Sequence, residues 1–90
     1  MKGQVALVRE QGVEFAVVLV KLQLLRGAKS EKDAAVRTWS IEFGRPAVLM
    51  AQDTRGEMEF YGRRDLSQWL ANNILDPAQL PWREFTAKAA

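Results

Sequence analysis

A repeated plan of hairpin and helix predicts an α+β domain arranged ββαββα. The expected form is one antiparallel sheet of about four strands, with two helices packed on one face. Three observations predict it. Strand-like runs flank Gln11-Gly12 between Gln4 and Lys21, and a second pair flanks Asp53-Thr54-Arg55-Gly56 between Ala47 and Tyr61. Each interruption carries turn residues. Apolar side chains then recur at helical spacing after each hairpin, as Ala35, Trp39 and Phe43, and as Leu66, Trp69, Leu70 and Ile74. In this reading residues 1–90 form a single domain: a hairpin–helix unit over 4–44, a second over 47–75, and a short turn with an extended tail over 76–90.

The first hairpin pairs best through a two-residue loop at Gln11-Gly12. That loop sets Arg9 opposite Glu14, a favourable charge pair, and Val8 opposite Phe15 on the other face. Gly12 supplies the positive φ of a tight turn. The second strand stays apolar past its partner, through Val18, Val20, Leu22 and Leu24, and such an overhang needs cover. Ser30-Glu31-Lys32-Asp33 resembles a helix start with Ser30 as N-cap and acids in the first turn. Gly44 and Pro46 end that helix.

In the second hairpin, Asp53 and Gly56 occupy the first and last positions of a type I turn that closes with a glycine bulge. Met58 and Phe60 are expected to face the core, with Glu57, Glu59 and Tyr61 on the other side. Gly62 breaks the strand, and Asn72-Asn73 lie near the end of the following helix. Asp76-Pro77 reads as the N-cap and first residue of one more short turn. Pro81-Trp82 opens an extended tail, frayed from Thr86 to Ala90.

Composition narrows the chemistry. The chain has no histidine and no cysteine, which removes Ser-His mechanisms, disulfides and the usual zinc ligand sets. Thirteen Lys/Arg against eleven Asp/Glu leave a net charge of only +2, so the pI of 9.3 reflects the missing histidine buffer rather than a basic surface. Charge enters the N-terminal stretch at Lys2 and Arg9, too early for a signal-peptide core. The richest apolar stretch, Phe15 to Leu25, is broken by Lys21 and Gln23 and is too short to span a bilayer. The expected location is the cytoplasm, without membrane contact.

One anomaly marks a candidate site. Gly62-Arg63-Arg64 puts cations at a helix N-terminus, where they oppose the dipole unless an anion sits between them and the free N–H groups. Arg55, Tyr61 and Trp82 extend this into a possible anion- or partner-binding surface of guanidinium forks and aromatic faces. The plain alternative is solvated arginines paired with Asp65 or Glu59. Asp53, Glu57 and Glu59 gather around one hairpin, as acids holding a divalent ion do, but turn chemistry and an exposed strand face explain them as well. No catalytic residue, metal ligand or cofactor site is assigned. The resulting expectation is a small non-catalytic protein-interaction module, binding a protein partner or itself as a homodimer through the Leu22–Leu25 sheet edge. The alternative is a nucleic-acid or anionic-ligand binder using the arginines at the second helix.

Overall fold

The computed structural model describes residues 2–10, 12–74 and 76–86. Gln11 of the first turn and residues 87–90 of the tail lie outside the described residues, as do Met1 and Leu75. The chain runs β1 (Lys2–Glu10), β2 (Val13–Leu19), α1 (Leu22–Leu25), α2 (Lys29–Phe43), β3 (Ala47–Gln52), β4 (Met58–Tyr61), α3 (Arg64–Asn73), a 3-10 turn (Pro77–Gln79) and β5 (Trp82–Thr86). The strands form one sheet in the order β4-β3-β2-β1-β5. Among the described residues, no helix is long and apolar enough to cross a membrane.

Local turn chemistry sets both hairpins. Arg9 pairs with Glu14 and Val8 with Phe15, in the expected register. At the second turn the Asp53 carboxylate accepts the N–H groups of Arg55 and Glu57 at 2.8 and 2.9 Å, while the Gly56 N–H reaches the Asp53 carbonyl at 3.0 Å. Asp76 caps the 3-10 turn through a reciprocal box with Gln79.

The sheet is mixed and five-stranded rather than antiparallel and four-stranded. β2 and β3 run parallel, because α1 and α2 carry the chain back across the sheet before β3 begins. The extended tail supplies the fifth strand, with Trp82 opposite Ala6 and Thr86 opposite Lys2.

The two long helices cover opposite faces, correcting the expectation of one shared face. Ala47, Leu49 and Ala51 of β3 pack with Ala35 and Trp39 of α2, whereas the alternate residues Val48 and Met50 pack with Leu66 and Leu70 of α3. A strand apolar on both sides needs cover on both. Tyr61 consequently points into the α2 side instead of outward, while Met58 and Phe60 join the α3 side. An aromatic row ties α2 to the edge: Trp39 stacks on Phe43 at 5.9 Å, and Phe43 meets Phe85 of β5 edge-on at 5.0 Å.

Two further expectations give way. The N-cap of α2 is Ala28, whose carbonyl accepts the N–H groups of Glu31 and Lys32, and Ser30 lies inside the first turn. The Lys29–Asp33 pair at 3.0 Å supports this earlier start. The overhang at Leu22–Leu25 is a helical turn, not a strand. β2 ends once the Val20 N–H has reached the Met50 carbonyl, and the Leu24 and Arg26 N–H groups then turn back onto Lys21 and Leu22. Leu22, Leu24 and Leu25 pack into the α2-side core, so this segment offers no sheet edge for a second copy.

Candidate functional site

The six residues expected to form an anion- or partner-binding surface are dispersed. Arg55 sits in the turn before β4, and Arg63 and Arg64 follow β4, so the length of that strand, about 13 Å, separates them. Arg55 lies 3.7 Å from Asp53 and 3.5 Å from Glu57, and Arg63 holds Asp65 at 2.9 Å. Arg64 is exposed. Trp82 is at the far edge of the sheet, where its indole N–H donates to the Pro77 carbonyl at 2.7 Å and its ring joins the α3-side cluster.

Gly62 has a packing role. A Cβ there would lie 3.0 Å from the Ala47 carbonyl oxygen and 3.1 Å from the Val48 Cα, so only glycine lets the end of β4 cross this close to β3. Tyr61 works on the other face. Its hydroxyl donates to Asp33 at 2.5 Å, and the Lys32 ammonium lies 4.7 Å from the centre of its ring. The Tyr61 hydroxyl, followed by the Lys29 ammonium, holds the Asp33 carboxyl below its ordinary range, and the same bond pushes the Tyr61 phenol up. With the Arg26–Glu59 pair at 2.6 Å, these contacts fasten α1 and α2 to β4.

The hairpin carboxylates are held by groups of the chain itself, Asp53 and Glu57 flanking the Arg55 guanidinium. Burial alone would push Asp53 up, but the N–H groups of Glu57 and Arg55 overcome it and leave the carboxyl below its ordinary range. Glu59 is turned to Arg26. Among the described residues, no group of three or more His, Cys, Asp or Glu could hold a metal ion.

The feature invisible in the sequence lies between β1 and β2. Their ladder closes at Val5–Val18 although both strands run on. β1 continues back to Lys2 against β5, and β2 continues to Leu19 against β3. Held in register, the ladder would set Gly3 opposite Val20 and Lys2 opposite Lys21. Instead the strands part, and an open groove of about 560 Å³ lies between them. Val18, Leu19, Val20, Leu24 and Trp39 line its apolar wall, and among the described residues Lys2 and Lys21 are its only charged lining residues. Gly3 lets the wall form, since a Cβ there would lie 3.1 Å from the Trp39 ring.

At the edge, β5 pairs inward with β1 and carries no strand on its outer side among the described residues. Beside it Leu7 is 39% exposed, and a recess of about 220 Å³ is lined by Val5, Leu7, Pro81, Arg83 and Phe85. Comparison of the chain with protein-family models, curated proteins and solved structures returns no match.

Proposed function

We propose that this chain is a small non-catalytic protein-interaction module that joins a second copy of itself through the free edge of β5. One observation carries the reading: a five-residue strand, with no neighbour on its outer edge among the described residues, stands beside the exposed Leu7 and a recess that the half-buried Phe85 helps to line. Strand addition at such an edge gains main-chain hydrogen bonds and covers the flanking side chains. A two-fold antiparallel pairing centred on Phe85 brings the two Phe85 rings together and sets Glu84 beside Thr86 across the junction. It also keeps Arg83 and Glu84 from facing their own copies. The opposite edge is less suited, because β4 has only four residues and its Glu59 is held by Arg26. The arginine-based reading as an anion or nucleic-acid binder has less support, since Arg55 and Arg63 already face carboxylates.

Light scattering from micromolar to millimolar protein tests the association. Dimer should grow with concentration, and amide exchange at Trp82–Thr86 should slow as it does. A strict monomer at millimolar concentration, or protection that grows at β4 instead, rejects the reading.

A further inference from the structure

We infer that the groove between β1 and β2 binds an aliphatic carboxylate, with its alkyl chain against Leu19, Val20 and Leu24 and its carboxylate between Lys2 and Lys21. This site is separate from the β5 edge and does not depend on self-association. Three observations lead to it. The volume of about 560 Å³ and the mainly apolar lining are those of a small-molecule site with a few placed polar groups. Among the described residues the lining is also one-signed, carrying two ammonium groups and no carboxylate. Finally, Lys2 and Lys21 occupy positions that would face each other if the ladder continued, and like charges directly opposed are unfavourable. An anion placed between them forms two charge-assisted contacts at the groove mouth.

Occupancy by the apolar part needs no backbone rearrangement. Val18 and Trp39 are each 1% exposed, and Trp39 is held by Phe43, so the floor of the groove is preformed. β1 and β2 are each secured by a different neighbour, which keeps the groove open without a ligand. A bare inorganic anion would leave the apolar wall wet, and a neutral alkyl chain would leave the two ammonium groups without an anion. Only a molecule carrying both parts answers both features.

The test is an NMR titration of the whole chain with sodium decanoate below its micelle concentration, repeated with decanol and with acetate. The expected result is saturable movement of the Gly3, Val20 and Lys21 amides and the Trp39 indole by decanoate. Decanol and acetate should each bind roughly tenfold or more weakly. The double variant Lys2→Gln/Lys21→Gln changes two exposed side chains, so it should keep the fold and lose about tenfold in decanoate affinity. Three results would overturn the assignment: no saturable shift, shifts centred on the Leu7–Phe85 recess, or a double variant that binds decanoate as tightly as the parent. Equal binding of decanol would likewise reduce the site to apolar adsorption. Oligomeric state is measured separately, so failure here leaves the strand-edge reading standing.

Discussion

Gly62→Ala is the most searching test of how α3 is joined to the sheet. The new methyl carbon would meet the Ala47 carbonyl oxygen at 3.0 Å, the Val48 Cα at 3.1 Å and the Val48 Cγ2 at 3.3 Å. Two of the three obstacles are backbone atoms of the buried residues Ala47 and Val48 and cannot swing aside. Overpacking of this kind costs about 1–3 kcal/mol. The φ of 154° adds strain of about 1 kcal/mol for a residue with a side chain. A total of about 3 kcal/mol would lower the Tm by roughly 12–24 °C in a domain of this size. Gly56→Ala provides the control, because φ there is 85° but nothing lies within 4 Å of the added carbon. It should lose only the conformational part, about 1 kcal/mol. Urea unfolding of both variants, followed by far-UV circular dichroism, reads the difference directly. If Gly62→Ala proves no worse than Gly56→Ala, the close crossing of β4 over β3 does not constrain the fold, and the steric argument is wrong.

Three other substitutions probe separate joints. Trp39→Ala removes the largest fully buried side chain on the α2 side and should cost about 4 kcal/mol by urea unfolding, a large part of the stability of any domain this small. Asp76→Ala removes the cap of the 3-10 turn at a cost of about 1 kcal/mol, and hydrogen exchange should show β5 amides losing protection because Trp82 hangs on the Pro77 carbonyl. Tyr61→Phe should change the pH dependence of stability at both ends. Asp33 is held below its ordinary value, so its contribution is complete above about pH 3.9 and is lost as pH falls through the folded value. Tyr61 is pushed up, so its contribution is complete below about pH 10 and is lost as pH rises through the folded value. Denaturant melts across pH should show the alkaline loss disappear in Tyr61→Phe and the acid loss shift upward; an unchanged profile would mean that the bond does not couple the two groups.

Features set by neighbouring residues were legible in the sequence. The Arg9–Glu14 register follows from loop length alone, and the Asp53–Gly56 turn from the carboxylate and the glycine that such turns use. The close of α2 at Gly44 and the Asp76 cap belong to the same class. Features that depend on what lies above or beside a strand were not. Ala47–Gln52 reads as a buried strand, but a continuous apolar run does not say whether one helix or two will cover it. Leu22 and Leu24 sit at strand spacing, yet once Val20 has used its last partner on β3 the chain turns, and the same leucines pack as a helical turn. The arginines look like a cluster because they are close in the chain; β4 places them at opposite ends, each group beside its own acids.

The groove follows from the order of the strands rather than from any motif. Adjacent strands of a hairpin normally stay paired to their ends, but β1 and β2 each have a second partner. The tail returns as β5 and holds β1 at Lys2–Ala6, while the parallel crossover holds β2 to β3 as far as Leu19. With both strands secured outward, continued β1–β2 pairing would bring two lysines face to face, whereas parting leaves each ammonium in water. The separation costs the remaining ladder hydrogen bonds, and Trp39 partly offsets that loss by packing over Gly3 and Val18. This account makes the lysines a cause of the opening as well as a means of binding. Lys21→Glu should then draw the strands together: a salt bridge across Lys2 and residue 21 would extend the ladder, slow exchange of the Lys2 and Gln4 amides, which face β2, and close the groove to decanoate. If those amides exchange as in the parent, strand order alone holds the groove open and like-charge repulsion has no part in it.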